Sequence, residues 1–223
     1  MGRRITRKQL KQDEFISTAD TVMSWIIVNW RPFVFGLGAL CLVILAWWAG
    51  TRWTGSRAER ASYLLHQATT AVDAALQGGD VAAAEGKLQE VINRHGRSEQ
   101  ADMARVLKAR LMIDRNDLDG ARALLVEVSG RRGGDAVGRV ATLDLVHLQI
   151  ATGQAAEVVP QLEAMVSGVD VRLPRDAALY ELGELFIATQ DPGRARSYYQ
   201  RLVDDFPESP YRAQASQRLA ELG

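Results

Sequence analysis

The sequence predicts an all-α protein in which one N-terminal transmembrane helix precedes a solenoid of about four repeated helix pairs and a capping helix. Residues 32–51 contain no Asp, Glu, Lys, Arg or His, and Arg31 and Arg52 bracket them. All five tryptophans of the chain lie in or beside this run. After it the composition is that of helices, and a turn signal recurs at a spacing of 37 residues.

The apolar run has the length of a membrane anchor. At about 1.5 Å per residue, 20 residues of helix extend roughly 30 Å, the hydrocarbon thickness of a bilayer. A buried core helix of a soluble protein is the alternative, but such helices rarely run so far without a charge. A cleaved signal is disfavoured because bulky side chains stand where the cleavage site requires small ones. Indole rings prefer the headgroup boundary, which predicts as membrane-interface residues Trp25, Trp30, Trp47, Trp48 and Trp53.

Charge around the run predicts the orientation of the chain. The tail, residues 1–31, has six basic and three acidic residues and a net charge of +3, which favours a cytoplasmic N-terminus. Within about 20 residues of the run, only two basic residues precede it and three follow it, which slightly favours the opposite orientation. A short tail is the part that positive charge retains, so we expect a single-pass protein with its N-terminus inside and its C-terminal domain outside.

The segments beside the anchor also carry signals. A capping box at Ser17–Asp20 predicts a short amphipathic helix within 1–31. That helix would either lie on the inner headgroup surface or dock a cytoplasmic partner. Ala46 and Gly50 leave a homodimer contact open, since small residues four apart let two membrane helices approach. Residues 52–58 form a predicted neck before a domain at 59–223.

Composition excludes several functions. The chain balances 27 basic against 27 acidic residues, but from Trp53 onward 20 basic face 24 acidic residues, a poor match to nucleic acid. The only cysteine, Cys41, lies in the apolar run, so no intrachain disulfide can form. His66, His95 and His147 are isolated, and Gly133-Gly134 lacks the lysine and hydroxyl residue of a phosphate loop. We therefore expect a non-enzymatic protein without metal or cofactor.

The turn signals define the repeats. Their second members are Asp80, Asp117, Gln154 and Asp191, each 37 residues from the last. Apolar residues four, eight and eleven positions later repeat in register and indicate one buried face of a second helix. The predicted repeats span 65–101, 102–138, 139–175 and 176–209, with a capping helix at 210–222.

The final copy carries a family resemblance. Leu179, Leu182-Gly183, Phe186, Ala195, Tyr199 and Pro207 stand at the offsets of a tetratricopeptide repeat, which this segment resembles. The resemblance implies close crossing of paired helices. The residues that it assigns to packing between the helices are Ala84, Ala121, Gly183, Ala195, Tyr199 and Pro207.

A narrower resemblance covers the chain from about Trp25 onward. The run 100–125, with Ala109-Arg110-Leu111 and a turn from Asp117 to Arg122, and the final repeat are similar to the YfgM-like family, ancillary subunits of the bacterial SecYEG translocon. This resemblance implies a periplasmic domain beside the translocon that hands emerging proteins to chaperones. A scaffold for another envelope assembly, such as cell-wall synthesis or division, and a regulator acting through its cytoplasmic tail are the alternatives.

Repeat phase predicts a concave binding face on the first helices. Apolar side chains interleaved with one charge or histidine per unit would suit an amphipathic or extended polypeptide. The alternative is that the apolar members belong to the core and the polar ones to the solvated surface. The candidate residues are Met103, Val106, Arg110, Val140, Leu143, His147, Tyr180, Glu184 and Ile187.

Overall fold

The computed structural model describes the backbone of residues 30–223 and the side chains of 35, 36, 38–45, 47, 48 and 58–223. It divides into two compact units, Met1–Arg57 and Ala58–Gly223. The predicted tail helix, with Trp25, lies outside the described residues. So do the side chains of Trp30, Trp53, Ala46 and Gly50.

The described residues are helical throughout, without a strand. The helices are α1 (Trp30–Leu76), α2 (Val81–His95), α3 (Glu99–Asp114), α4 (Leu118–Arg132), α5 (Ala136–Ala151), α6 (Ala155–Ser167), α7 (Arg175–Ala188), α8 (Pro192–Asp205) and α9 (Arg212–Glu221). From α2 onward each helix packs against the next along the chain, and α3 also contacts α5. The second unit is therefore a stack of helix pairs, in which α3, α5 and α7 are first helices and α9 follows the last pair.

Turn chemistry explains the recurring turn signal. Asn116, Gly153 and Gln190 have positive φ angles of 63°, 81° and 62°, the left-handed conformation that ends a helix and reverses the chain. The residue that follows each of them is the N-cap of a second helix. Asp117 accepts a hydrogen bond from the Gly120 amide, and Asp80 and Asp191 cap α2 and α8 in the same way. Gln154 makes no side-chain cap bond.

Buried small residues let the paired helices approach. Ala84, Ala121 and Ala195 are fully buried, as is Tyr199. A Cβ atom added to Gly183 would overlap the Tyr199 ring, so only glycine fits where α7 meets α8. Pro207, in contrast, is exposed after the end of α8.

Three clusters of buried apolar residues form the core of the second unit. The first lies on α1, α2 and α3, the second on α3, α4 and α5, and the third extends from α5 to α9. Because α3 and α5 contribute to two clusters each, they are buried on more than one side. That double burial limits which of their side chains can face a partner.

In the first unit, the described apolar side chains are open to solvent. Phe35 is 76% exposed and Trp47 75% exposed, and Leu42, Val43, Ile44 and Cys41 are exposed as well. Within the portion of the chain that the structure describes, no helix has the combined length and apolarity needed to cross a membrane.

Candidate interaction face on the first helices

The first helices are joined by charged pairs between successive units. Arg110 on α3 donates two hydrogen bonds to the Asp144 carboxylate on α5, at 2.7 and 3.1 Å. His147 Nε2 on α5 lies 2.9 Å from Glu181 Oε2 on α7. Arg218 on α9 donates to both oxygens of Glu184 on α7, at 2.9 and 3.0 Å. We refer to these six residues as the polar ladder.

The polar ladder has a regular register. Each pair joins residues 34 apart in sequence. On α5, α7 and α9, one residue of the ladder contacts the preceding unit. These residues are Asp144, Glu181 and Arg218. A position three residues later, as at His147 and Glu184, contacts the following unit. Residues three apart lie on the same side of a helix, so one face carries both contacts.

Electrostatic interactions connect neighbouring pairs of the polar ladder. The hydrogen bond with Glu181 raises the pKa of His147, partial burial opposes that rise, and the Glu181, Asp144 and Glu184 carboxylates add to it. Likewise the hydrogen bond to Asp144 raises the pKa of Arg110 against the effect of its burial. The His147 side chain remains 60% exposed while that of Glu181 is only 10% exposed. The imidazole is therefore the accessible half of its pair.

The last rung is tied to an aromatic cluster. The Tyr199 hydroxyl donates a 2.7 Å hydrogen bond to Glu184, and burial together with that contact raises the pKa of Tyr199. Tyr180 packs between the Tyr199 ring, with centroids 5.9 Å apart, and the Tyr211 ring, stacked at 5.2 Å. The face thus presents tyrosine surface beside charge at its C-terminal end.

The structure divides the predicted partner-binding residues into three groups. Arg110 and His147 are exposed, and Glu184 is half-buried in the ladder. Met103 and Val140 are half-buried against the second core cluster, and Leu143, Tyr180 and Ile187 against the third. The structure corrects the prediction that Val106 lies on the binding face. It is fully buried between α3 and its neighbours, so it is a core residue and cannot contact a partner of the folded protein.

The second member of each pair in the polar ladder was not predicted from the sequence. Asp144, Glu181 and Arg218 are spaced 37 residues apart, as are their partners Arg110, His147 and Glu184. This shared period was the signal available in the sequence. The pairing itself depends on how far one helix is shifted against the next. That shift is a property of the stack and is not written in any single repeat.

A second charge cluster is buried near the start of α3. The Asp102 carboxylate is fully buried and accepts hydrogen bonds from Arg105, Arg131 and Arg132, at 2.8, 2.7 and 2.6 Å. It thereby ties the start of α3 to the end of α4. Such a carboxylate is held by its partners and is not available to a ligand, so this cluster is structural.

Among the described residues, no three His, Cys, Asp or Glu side chains converge in a way that could hold a metal ion. What the face offers instead is exposed charge and half-buried apolar surface along α3, α5 and α7. A surface of this kind suits recognition of a polypeptide.

Comparison with known proteins agrees with the helical stack. The family model described as "Tetratricopeptide repeat-like domain" matches residues 23–223. A comparison with curated proteins gives no match.

Proposed function

The chain belongs to the tetratricopeptide repeat-like domain family, and from this premise we propose that it is a membrane-anchored, translocon-associated protein-interaction module. Repeats of this family generally bind proteins and do not catalyse reactions, which makes protein partners the expected ligands of the second unit. We propose the membrane anchor, the side of the membrane on which the second unit lies and the identity of the partner.

The observation that carries the proposal is the first-helix face. Arg110 and His147 are the exposed members of their pairs, whereas the side chains of Asp144 and Glu181 are only 16% and 10% exposed. A bound polypeptide can therefore add hydrogen bonds to the exposed groups of Arg110 and His147 while their contacts with Asp144 and Glu181 stay in place. Half-buried Leu143 and Tyr180 supply the adjoining apolar contact. The ligand that fits is a segment with alternating charged and apolar side chains.

Membrane anchoring is supported by the apolar surface of α1. Phe35, Leu42, Val43, Ile44 and Trp47 are all exposed on one stretch of helix. Removing a large apolar side chain from water contributes about 1.5–3 kcal/mol, so leaving this stretch in water would be very unfavourable. A bilayer is the solvent that resolves this, and the uncharged run 32–51 has the length to span it.

The translocon role rests on the resemblance of the run 100–125 and the final repeat to the YfgM-like family. In this account the tail, residues 1–31, is cytoplasmic, and the second unit stands on the periplasmic face of the inner membrane. There it binds chains that emerge from the translocon. The positive charge of the tail supports this orientation.

Photo-crosslinking in cells tests the proposal. A photoreactive amino acid at position 110 or 147 should capture SecY or nascent envelope proteins, whereas one at Lys87, exposed on a second helix, should not. Capture of cell-wall or division enzymes would indicate a scaffold for another envelope assembly. A cytosolic protein captured by the tail would indicate a regulator. Either of these outcomes would contradict the translocon role.

A further inference from the structure

The three pairs of the polar ladder differ in the charge that they carry. Each of the two outer pairs joins a carboxylate to an arginine, which keeps its positive charge at every physiological pH. The central pair joins Glu181 to the imidazole of His147, a group whose ordinary pKa is about 6.5. The central pair is therefore neutral only while His147 is protonated, and it carries one negative charge when His147 is neutral.

The charge of Glu181 has no other counterion within residues 58–223. The charged groups around His147 on α3, α5, α7 and α9 are Arg110, Asp144, Glu181, Glu184 and Arg218. In the two outer pairs the arginine already neutralises its carboxylate, whereas no arginine or lysine of this part of the chain forms an ion pair with Glu181. The Glu181 side chain is only 10% exposed, so salt and water screen its charge weakly. An uncompensated negative charge thus lies in the middle of the first-helix face when His147 is neutral.

The contact with Glu181 also determines which nitrogen of the neutral imidazole carries the hydrogen. An ionised carboxylate can only accept hydrogen bonds, so the hydrogen is on Nε2 of His147, 2.9 Å from Glu181 Oε2. Nδ1 is then an unprotonated acceptor. Among the described residues Nδ1 has no hydrogen-bond partner, and the His147 side chain is 60% exposed. The face therefore presents an accessible acceptor nitrogen whose basicity is increased by the carboxylate behind it.

Tyrosine rings lie close to this pair. Burial raises the pKa of Tyr211, the charges of Glu181 and Asp176 add to that rise, and Arg139 opposes it. The Tyr211 ring stacks on Tyr180 with centroids 5.2 Å apart, and both rings are half-buried. Aromatic rings attract cations, and a planar guanidinium stacks on them more readily than an ammonium group does. The surroundings of the central pair therefore favour an arginine over a lysine.

We propose that Nδ1 of His147 accepts a hydrogen bond from an arginine side chain of the bound polypeptide, so that the first-helix face selects positively charged segments. The arginine supplies the cation that the central pair lacks, and the contact between His147 and Glu181 stays in place. A carboxylate of the ligand would be repelled by Glu181 and would find no hydrogen on Nδ1. This inference rests on the polypeptide binding proposed above and specifies the chemistry of the ligand.

Nuclear magnetic resonance of the histidine rings, in the full chain in phosphatidylcholine nanodiscs, tests the inference. The probes are blocked heptapeptides, Leu-Ser-Leu-X-Leu-Ser-Leu, in which X is arginine, glutamine or glutamate. The chain has three histidines, and His147→Gln identifies the signal of His147. The arginine peptide should lower the pKa of His147, because the proton and the guanidinium compete for Nδ1. The glutamate peptide should raise it.

The affinities of the peptides provide a second measurement. Two unit charges a few ångströms apart interact strongly enough, even in water, to change a dissociation constant about five-fold. The arginine peptide should therefore bind about five-fold more tightly at pH 8.5 than at pH 5.5, and the glutamate peptide should show the opposite dependence. In His147→Gln both differences should disappear.

Two matched variants each remove one negative charge. Glu181→Gln should lose the preference for the arginine peptide over the glutamate peptide, because the charge behind His147 is gone. Glu157 is exposed on α6 and forms no ion pair within residues 58–223, so Glu157→Gln should keep that preference. Circular dichroism establishes that both variants are folded. If Glu181→Gln does not fold, the pH dependence of the wild-type chain decides the question.

The remaining outcomes separate this inference from the proposed function. The arginine peptide could raise the pKa of His147 or leave it unchanged while another of the peptides perturbs the His147 signal. That result would overturn the arginine site and leave polypeptide binding by the face intact. Failure of all three peptides to perturb the His147 signal at either pH would contradict both proposals.

Discussion

His147 Nε2 on α5 lies 2.9 Å from Glu181 Oε2 on α7, and this contact joins the first helices of two successive repeats. The same relationship recurs at Arg110–Asp144 and at Glu184–Arg218, each across 34 residues. The charged residues expected to meet a partner thus also hold the units together. In the proposed function, partner binding and stacking therefore use the same side chains.

The His147–Glu181 contact predicts a pH dependence of stability. Because Glu181 raises the folded-state pKa of His147, the contribution of the pair is fully present below the unfolded value of about 6.5 and is lost as the pH rises through the folded value. His147 is 60% exposed, so the contribution is less than about 1 kcal/mol.

Urea unfolding at pH 5.5 and 8.5 measures this effect. The wild-type chain should lose more free energy of unfolding between the two pH values than His147→Gln, in which that titration is absent. The difference between the two proteins cancels the other titrating groups. An identical pH dependence in both would contradict the assignment.

The buried Asp102 predicts a large loss of stability. Asp102→Asn removes the buried charge that Arg105, Arg131 and Arg132 share, and leaves these arginines only their ion pairs with Glu127 and Asp135. Weakening the hydrogen bonds of a buried charged group in this way costs about 1–3 kcal/mol. The matched control is Glu85→Gln, which breaks the exposed pair with Arg115 and should cost less than about 1 kcal/mol. Equal losses in thermal denaturation would show that the Asp102 cluster is not a structural centre.

Two glycine substitutions should have opposite effects. Gly183→Ala places a methyl group into the Tyr199 ring and should destabilise the chain by about 1–3 kcal/mol. Gly86→Ala, inside α2 with no atom within 4 Å of the new Cβ, should stabilise it by about 0.5–1 kcal/mol. Denaturant midpoints measure both changes. A stabilising Gly183→Ala would mean that α7 and α8 do not pack as described.

Part of this architecture could be read from the sequence because its causes are local. A residue in the left-handed conformation ends one helix, and the aspartate that follows it caps the start of the next. Asn116-Asp117 and Gln190-Asp191 have this pattern, which is recognisable in the sequence. The tight contact of Gly183 with Tyr199 was likewise visible as a spacing typical of a tetratricopeptide repeat.

The errors and omissions come from packing between repeats. Val106 has the spacing of a face residue, but α3 is covered on more than one side, so the residue is buried. The Asp102 cluster gathers arginines from two helices and gives no local signal. Asp144, Glu181 and Arg218 become partners only through the shift between neighbouring first helices.

Co-purification from crosslinked membranes tests whether the first-helix face captures a protein partner. Arg110→Ala/Leu143→Ala/Tyr180→Ala should lose the captured partners and retain its helicity. Arg201→Ala/Val126→Ala/Val169→Ala, which truncates exposed residues outside that face, should retain them. Undiminished capture by the first triple variant, folded as judged by circular dichroism, would contradict the account.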